Sequence, residues 1–387
     1  MAQAIISRRG GGSGYATITF NGVSALKKTD VAALSTSRNR LAATTVGNYA
    51  LFGGGYDGNA YVSAVDAYNA SLTRTSATLL SEGRYDLAAT TVGNYALFVG
   101  GHYSNVYVST VDAYNTSLTR TTPTTLNSAS SLLAATTVGN YALFAGGYAS
   151  YTSVVTAYNT SLTRSTPTAL SEAKATLSAT TVGNYALFGG GYNGNTSFAT
   201  VNAYNTSLTR STPTSLSVAR YYLAATTVGN YALFGGGISG YLSTVDAYDT
   251  SLTRTIPTSL SQGRYYLAAT TVGNYALFGG GNYAHAYSVV DAYNTSLTRS
   301  TPTDLNEARY YLSATTVGNY ALFGGGYNGK YLSTVDAYYV NNKVLVYPGT
   351  KYKLGSMASE STSYTMQEIE TTAPITGYIK IKDATIN

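Results

Sequence analysis

This chain is poor in the residue types that most often carry nucleophilic or metal chemistry, and its two histidines lie in variable loops. The sequence has 2 histidines, His102 and His285, and no cysteine. The absence of cysteine excludes disulfides, thiolate metal ligands and a cysteine nucleophile. The two histidines belong to the second and sixth of the repeat units described below, so we expect no shared metal site.

Three acidic residues, Asp57, Asp86 and Glu307, are candidates for the carboxylate pair of a glycoside hydrolase. Sequence spacing leaves their convergence open. Asp57-Gly58-Asn59 resembles part of a calcium loop but lacks the further carboxylates and closing glutamate, so we predict a turn there. No GxSxG element or phosphate-binding glycine loop is present. The sequence favours a protein without catalytic residues, metal or cofactor, with a carbohydrate-active enzyme as an alternative.

Seven copies of the sequence VGNYALF recur at intervals of 44–46 residues, which indicates a repeat architecture. Each unit contains four short extended runs, as in Leu223–Val228, Tyr231–Phe234, Leu242–Tyr248 and Leu252–Thr258. Small turn residues separate the runs, and the proline of the fourth run suits a sheet edge. No segment has the 3.6-residue apolar period of a helix. We therefore predict an all-β fold, a seven-bladed β-propeller of four-stranded blades.

The seventh unit lacks an obvious fourth run of its own. Residues 26–38 (LKKTDVAALSTSR) align without gaps on residues 297–309 (LTRSTPTDLNEAR), so we predict that Leu26–Leu34 is the outer strand of the last blade. Such a strand closes the ring and removes a free sheet edge. Lys343–Tyr347, which follows the seventh unit directly, is the competing candidate.

The flanking segments and the composition limit the remaining possibilities. We predict an N-terminal attachment segment (1–22), the propeller (23–338) and a small C-terminal β appendage (339–387). The net charge of +6 is dispersed, which argues against nucleic-acid binding. No apolar stretch reaches the roughly 18 residues of a membrane span. The first apolar run is too short for a signal peptide, so we expect export by lysis, a dedicated machine or a particle.

Over about 26–338 the repeat resembles the Kelch-type β-propeller family. The resemblance rests on the double glycine after an apolar strand, as at Gly53-Gly54, and on a tyrosine in the third strand, as at Tyr68. The family's usual tryptophan is missing, and its place is taken by the segment Ser71–Arg74. The first residues, MAQAIISRRGG, resemble tail-associated proteins of phages and prophages of Gram-positive bacteria.

Two sets of arginines recur around the units. The resemblance implies that arginines of the loop between blades face a ligand, and a structural role is an equal alternative. Those arginines are Arg84, Arg220, Arg264 and Arg309. The arginine of each SLTR segment and the aspartate of each VDAY segment are instead expected to pair across neighbouring strands or to cap turns, because a charge repeated around a ring is usually structural.

Differences between units collect in the two residues before the first run and in the loop after the glycines. In an up-and-down blade both places lie at one end of the ring, opposite the invariant turns. This end is rich in Tyr, Asn, Ser and Gly, the mixture favoured in binding loops; drift of solvent-exposed loops is the alternative. The candidate ligand-binding residues are Arg84, Tyr85, Asp86, Tyr103, Tyr148, Tyr192, Arg220, Tyr221, Tyr222, Tyr241, Arg264, Tyr265, Tyr266, Tyr283, His285, Arg309, Tyr310, Tyr311 and Tyr327.

The sequence thus predicts a non-enzymatic protein that presents a variable, tyrosine-rich propeller face to a cell-surface glycan or protein. We expect a receptor-binding or adhesion component of a phage or prophage tail, located in the virion or on the bacterial surface. Its terminal segments would attach it to other tail or particle proteins. No nucleic acid and no membrane insertion are expected. The alternative non-enzymatic function is that of an intracellular interaction scaffold in the cytoplasm.

Overall fold

The computed structural model describes residues 4–7, 17–20, 24–346 and 367–371, with side chains described for 26–341. It divides into two units, Lys28–Tyr338 and a second unit formed by both ends of the chain. The described residues contain strands and no helix, hence no helix of the length and apolarity that crossing a membrane requires. The predicted three-part division of the chain stays a prediction.

Seven antiparallel sheets form the blades of the propeller. In six blades the four strands follow chain order from the axis outward, whereas the outer strand of the last blade comes from the N-terminal part of the chain. The first strands are Ala42–Val46, Ala88–Val92, Ala134–Val138, Ser178–Val182, Ala224–Val228, Ala268–Val272 and Ser313–Val317. The second strands are Tyr49–Gly53, Tyr95–Val99, Tyr141–Ala145, Tyr185–Gly189, Tyr231–Gly235, Tyr275–Gly279 and Tyr320–Gly324. The third strands are Val65–Asn69, Val111–Asn115, Val155–Asn159, Val201–Asn205, Val245–Asp249, Val290–Asn294 and Val335–Val346. The outer strands are Arg74–Ser76, Arg120–Thr121, Arg164–Ser165, Arg210–Ser211, Arg254–Thr255, Arg299–Ser300 and, for the last blade, Ser24–Asp30.

The last blade is completed by the N-terminal strand, as the sequence predicts. Ser24–Asp30 pairs with the third strand Val335–Val346, although it ends four residues before the predicted Leu34. Leu34 is instead buried beyond the strand, and its N–H donates to the carbonyl of Ser333 at 2.8 Å. The competing candidate is wrong: Lys343–Val346 continues the third strand and pairs with Gln367–Thr371. The seven-bladed, all-β fold is confirmed.

Short hairpins extend two of the loops after the glycines. His102–Tyr103 pairs with Val106–Tyr107, and Asn282–Tyr283 pairs with His285–Ala286. In the smaller unit Ala4–Ser7 pairs with Thr17–Phe20.

Paired threonines of the first strands explain why AATTV or SATTV recurs in every unit. One threonine hydroxyl of each blade donates to the backbone carbonyl of its counterpart in the preceding blade, as from Thr91 to Thr45. Hydroxyl–hydroxyl contacts of 2.8–3.0 Å join the same strands around the ring. Both sets close on themselves, since Thr45 of the first blade bonds to Thr315 and Thr316 of the last. The two rings fix the spacing of the blades about the axis.

Buried aromatic residues stabilise the packing within each blade and the contact with the preceding blade. The phenylalanine of each second strand meets the tyrosine of the adjoining third strand edge-on, with ring centroids 5.8–6.1 Å apart. The buried tyrosine also reaches the preceding blade, as where the Tyr114 hydroxyl donates to the Thr78 carbonyl at 2.8 Å. Because a buried hydroxyl needs a partner, this bond fixes the tyrosine's orientation as well as its packing.

The predicted pairs between the repeated arginines and aspartates are present wherever both partners occur. Arg74 lies 2.8 Å from Asp66, and Arg299 lies 2.8 Å from Asp291. Arg120–Asp112 and Arg254–Asp246 are longer, at 3.3 and 3.5 Å. In the third blade, where Thr156 replaces the aspartate, the arginine bonds a backbone carbonyl instead. These charges are therefore structural, as expected.

The turns between the third and fourth runs, at the opposite end, have an asparagine or aspartate because of local hydrogen bonds. The Asn115 Oδ1 atom accepts from the N–H groups of Ser117 and Thr119, both at 3.0 Å. Asp249 makes the same two bonds in the fifth blade, at 2.8 and 2.9 Å. An oxygen acceptor is thus what the turn requires.

We expect Asn115→Asp to leave the free energy of unfolding nearly unchanged, since Asp249 shows the turn accepting a carboxylate. Asn115→Ala removes the acceptor and should cost about 1 kcal/mol, as at other side-chain-to-backbone caps. Urea unfolding of both variants tests this. Equal stability of the two would mean that the side-chain oxygen contributes nothing.

Candidate functional site

The two variable stretches of each unit meet at one end of the propeller. Isolated backbone bridges join the residue after the glycines to the first of the two variable residues before the first run. The bridged pairs are Asn39–Tyr56, Tyr85–His102, Ser131–Tyr148, Ala175–Tyr192, Tyr221–Ile238, Tyr265–Asn282 and Tyr310–Tyr327. Variation along the sequence is therefore collected onto one surface, which we call the variable face.

At the centre of the variable face, one residue from each blade forms a ring of backbone hydrogen bonds. Each N–H donates to the carbonyl of its counterpart in the preceding blade, at 2.9–3.2 Å, and the ring closes from Arg40 to Tyr311. All seven have left-handed backbone with φ of 52–57°. The members of this axial ring are Arg40, Asp86, Leu132, Thr176, Tyr222, Tyr266 and Tyr311. Since only backbone atoms form the ring, its side chains are free to differ.

Left-handed backbone costs a residue with a side chain roughly 1–2 kcal/mol, so seven such residues need compensation. The ring supplies it with one interblade hydrogen bond per blade. A conformation of this kind, held by its surroundings, is a common feature of functional sites.

A central depression of about 270 Å³ lies at the axial ring. The Arg40 Nη1 atom lies 3.0 Å from the Asp86 Oδ2 atom, and Nη2 donates to the Tyr311 hydroxyl at 3.1 Å. The Arg40 guanidinium also lies over the Tyr311 ring, 4.3 Å from its centroid. Side chains of Leu132 and Thr176 form the opposite wall. Leucines of the adjoining positions complete the lining: Leu87, Leu133, Leu177, Leu223, Leu267 and Leu312.

Burial sets the protonation of these groups. It raises the pKa of Tyr311 to about 12, against the opposing effect of Arg40. Burial and the neighbouring phenols raise the pKa of Tyr266 well beyond its usual value. Both phenols are therefore neutral near pH 7 and able to donate hydrogen bonds. Burial raises the pKa of Asp86 above its usual value, although Arg40 opposes this rise. Burial lowers the pKa of Arg40, but the effects of Asp86 and Tyr311 are larger, so that pKa is raised.

Around the depression runs a closed circuit of aromatic side chains, in which each ring centroid lies within 6.3 Å of the next. Its members, in order, are Tyr56, Tyr61, Tyr85, His102, Tyr107, Tyr148, Tyr151, Tyr192, Tyr221, Tyr222, Tyr266, Tyr310, Tyr327 and Tyr331, which returns to Tyr56. We call it the aromatic circuit. Burial, with a further contribution from Arg40, lowers the pKa of its one histidine, His102.

Exposed apolar surface is concentrated on the same face. Seven large apolar side chains of the described residues are well exposed, and five belong to the variable stretches: Tyr61, Val106, Tyr148, Tyr241 and Tyr283. Tyr241 and Tyr283 lie outside the circuit, with their ring centroids 4.2 Å apart, and are 48% and 42% exposed. Adjacent exposed aromatics of this kind mark contact surfaces in soluble proteins.

Four of the predicted site residues require correction. Arg84, Arg220, Arg264 and Arg309 have no exposed surface, and each pairs with a buried aspartate of its own blade at 2.7–2.8 Å. In all four cases the guanidinium also donates to a backbone carbonyl of the second strand, as from Arg84 to the carbonyl of Phe98. These arginines hold the blade together beneath the variable face, so we remove them from the candidate ligand contacts.

The other predicted residues fall into three groups. Asp86, Tyr222, Tyr266 and Tyr311 are members of the axial ring. Tyr85, Tyr148, Tyr192, Tyr221, Tyr310 and Tyr327 belong to the aromatic circuit, which also contains Tyr222 and Tyr266. Tyr103, Tyr241, Tyr265, Tyr283 and His285 flank the circuit; Tyr103 lies 6.3 Å from Tyr61, and Tyr265 lies 4.6 Å from Tyr266.

Sequence reasoning omitted several residues that this geometry brings in. Arg40 occupies the first blade's place in the axial ring. It is one of the two variable residues before the first run of its unit, but the prediction did not select it as a ligand contact. The circuit adds further residues of the variable loops that the prediction did not select: Tyr56, Tyr61, His102, Tyr107, Tyr151 and Tyr331.

The acidic residues considered for hydrolysis have separate roles. The Asp57 side chain caps the N–H groups of Asn59 and Ala60 at 2.8 and 2.7 Å, which confirms the predicted turn. Glu307 accepts a hydrogen bond from the Thr334 hydroxyl. Among the described residues that line the depression, Asp86 is the single carboxylate. The described residues also contain no cluster of three metal-ligating His, Asp or Glu side chains.

Comparison with known proteins agrees on the fold and goes no further. No protein-family model and no curated protein matches the chain. The solved structure of YjhT is similar, with a TM-score of 0.53, 11% sequence identity, and 81% of this chain and 97% of that chain covered. Likeness at this identity concerns the fold alone. The chain is a seven-bladed β-propeller of four-stranded blades.

Proposed function

We propose that this chain is a non-enzymatic, Kelch-like binding protein whose variable face contacts a glycan or protein on a cell surface. The observation that carries the proposal is the aromatic circuit, which surrounds the central depression on the one surface where the repeats differ. Tyrosine offers a large contact area at low entropic cost, together with a hydroxyl for hydrogen bonding. Binding surfaces elsewhere combine these properties in the same way.

Neutral drift of solvent-exposed loops explains the composition of the variable face less well than a binding function does. Solvent-exposed loops that vary without constraint have no reason to accumulate exposed aromatic side chains, which carry a risk of aggregation. Here the repeats keep their turns and inner strands nearly identical, and five of seven well-exposed large apolar side chains lie in the variable stretches. A function for the face accounts for both facts.

A setting in a phage or prophage tail is part of this proposal. It rests on the likeness of the first residues to tail-associated proteins and on the contrast between a varying face and constant strands, which suits a receptor binder. In this setting the terminal segments attach the propeller to other particle proteins, and the protein is located in the virion or on the bacterial surface.

The first test concerns the exposed tyrosines beside the circuit. We expect the double variant Tyr241→Ala/Tyr283→Ala to lose about tenfold or more in affinity for susceptible cells or isolated receptor, because truncated aromatic contacts each cost over ~1 kcal/mol at binding hot spots. The measurement is binding of labelled protein to whole cells, cell-wall glycans and surface proteins.

Ile256→Thr is the matched control. Ile256 is 55% exposed, follows the outer strand Arg254–Thr255, and corresponds to Thr212 in the preceding unit. This variant removes exposed apolar surface away from the variable stretches and should bind like the parent. An unchanged affinity in the tyrosine variant, or an equal loss in the control, would contradict the assignment of the face.

Two other functions, an intracellular scaffold and a carbohydrate-active enzyme, would give different experimental results. An intracellular scaffold would capture cytoplasmic proteins and ignore cell surfaces. A carbohydrate-active enzyme would release product from a glycan, and turnover abolished by Asp86→Asn would establish it. The single carboxylate in the depression argues against the two-carboxylate mechanism.

A further inference from the structure

The central depression has the size of a site for one small polar group. Its volume of about 270 Å³ falls below the ~300 Å³ lower end of pockets for drug-sized ligands. An extended chain of a ligand would have to remain outside, on the aromatic circuit. The depression therefore suits one unit of a larger ligand, presented at an end or a branch.

The charge of the depression is balanced. Arg40 and Asp86 are the two charged side chains among the described lining residues, and they pair with each other. A ligand carboxylate, phosphate or sulfate near Arg40 would also approach Asp86 and gain no net attraction. Unpaired charge is costly to bury. A neutral ligand is favoured for that reason.

The polar groups nevertheless keep capacity for hydrogen bonds. In the side-chain bonds of the described residues, Arg40 uses Nη1 for Asp86 and Nη2 for Tyr311, whereas a guanidinium has five donors. Asp86 uses Oδ2 for Arg40, and a carboxylate has about four acceptor positions. An adjacent donor and acceptor of this kind match two neighbouring hydroxyl groups of a polyol.

The remaining walls match the carbon skeleton of such a ligand. Tyr266 and Tyr311 contact each other with centroids 3.9 Å apart, and Leu132 and Thr176 line the side away from them. A sugar ring has hydroxyl groups at its edge and C–H groups on its faces. Aromatic and leucine walls with one polar edge can accommodate both.

We propose that the central depression binds one neutral sugar unit of a surface glycan, with Arg40 donating and Asp86 accepting hydrogen bonds at adjacent hydroxyls. This assignment rests on the proposed function and narrows it to a glycan with a neutral terminal or branching sugar. Tyr266 and Tyr311 contact the carbon face of that sugar, and the rest of the glycan lies across the aromatic circuit.

The sequence of another blade suggests a double variant that tests this proposal. Arg40→Leu/Asp86→Leu keeps the net charge of the depression at zero and removes its donor and acceptor together. Leucine already occupies the equivalent ring position at Leu132, with φ of 55°. The axial ring uses only backbone atoms, so the double variant should fold, and its circular dichroism and unfolding midpoint are measured alongside binding.

The experiment uses the full chain on an array of neutral and acidic glycans, followed by calorimetric titration of the bound glycans. We expect hits with neutral terminal hexoses or N-acetylhexosamines, weaker binding of the matching uronic acids, and a tenfold to hundredfold loss in the double variant. The Tyr241→Ala/Tyr283→Ala variant is titrated with the same glycans.

The outcomes separate this inference from the proposed function. Preference for acidic glycans, or unchanged binding by the Arg40/Asp86 double variant, overturns the neutral-sugar site while a loss in the tyrosine variant upholds the binding face. A protein receptor without any glycan binding also overturns the sugar site alone. Absence of binding to cells, glycans and surface proteins overturns both.

Discussion

Replacing Asp112 with threonine is expected to lower the free energy of unfolding by about 3–5 kcal/mol, the usual cost of breaking a buried ion pair. Asp112 and Arg84 have no exposed side-chain surface, and their charged atoms lie 2.7 Å apart. Asp112 also accepts from the Ser81 hydroxyl at 3.0 Å and pairs with Arg120 at 3.3 Å. The variant leaves the Arg84 guanidinium buried with backbone carbonyls as its remaining partners.

The third blade supplies the control for this experiment. There the equivalent residues are Ser130 and Thr156, both nearly fully buried and both uncharged. The double variant Arg84→Ser/Asp112→Thr copies this pair, so it should be more stable than Asp112→Thr alone even though it loses side-chain volume. Urea unfolding of both variants and of Arg84→Ser completes a double-mutant cycle. Purely additive losses would show that the two charges do not depend on each other.

The fourth blade illustrates the intermediate case. Lys174 replaces the arginine and Asn202 the aspartate, so a buried cation remains without its usual partner. Burial lowers the pKa of Lys174, and Glu172 opposes this from 3.4 Å. The Lys174 ammonium also donates to the Thr200 carbonyl at 3.3 Å. The three arrangements indicate that the arginine and aspartate positions change together, as a buried charge requires.

Much of the fold could be predicted because the same sequence pattern recurs in seven units. Unit length, turn residues and the edge proline lead to four-stranded blades, and the gapless match of residues 26–38 to 297–309 leads to the closing strand. The outer strand's end was misplaced because the alignment carries over the whole LTRSTPTDL segment. In the structure only the first part of that segment pairs as a strand, and Leu34 lies beyond the strand with its side chain packed in the hydrophobic core.

The site was predicted less well, for a physical reason. The interblade arginines precede variable tyrosines, and adjacency in sequence suggested a shared exposed surface. Their partners lie 26–28 residues away, on the third strand, which no local pattern reveals. A signal was present nonetheless: the third unit loses its arginine and its aspartate together, at Ser130 and Thr156. The members of the aromatic circuit were identified only in part because ring contacts depend on how neighbouring blades are arranged.

Gly236→Ala is expected to be among the most damaging single substitutions in the propeller, at about 3–4 kcal/mol. Gly236 has φ of +72°, and a Cβ atom there would lie 2.5 Å from the backbone oxygen of Arg264. The left-handed conformation accounts for about 1–2 kcal/mol. The rest comes from displacing a carbonyl that also accepts the N–H of Gly237 at 2.9 Å, a bond between blades.

The preceding residue, Gly235, provides a matched control with the same chemical change. A Cβ atom at Gly235 would lie 2.9 Å from the Phe278 ring, which is a side chain able to shift. Other blades already carry a larger residue at this position, Ala145 and Val99. We expect Gly235→Ala to cost about 1 kcal/mol or less, below the usual range for overpacking. Urea unfolding of the two alanine variants should therefore differ by at least 2 kcal/mol; similar losses would mean that backbone conformation is not what requires Gly236.

The Gly236→Ala variant also tests whether the constant glycines hold the loops of the variable face in position. Gly237 immediately precedes Ile238, which bridges to Tyr221 of the aromatic circuit. If the carbonyl of Arg264 moves, the loop that carries Tyr241 loses its anchor at Gly237. Binding by Gly236→Ala should consequently fall together with its stability, whereas Gly235→Ala should keep its affinity for the same cells or receptor. Loss of stability without loss of binding in the folded fraction would show that the loop holds its position independently of the glycine pair.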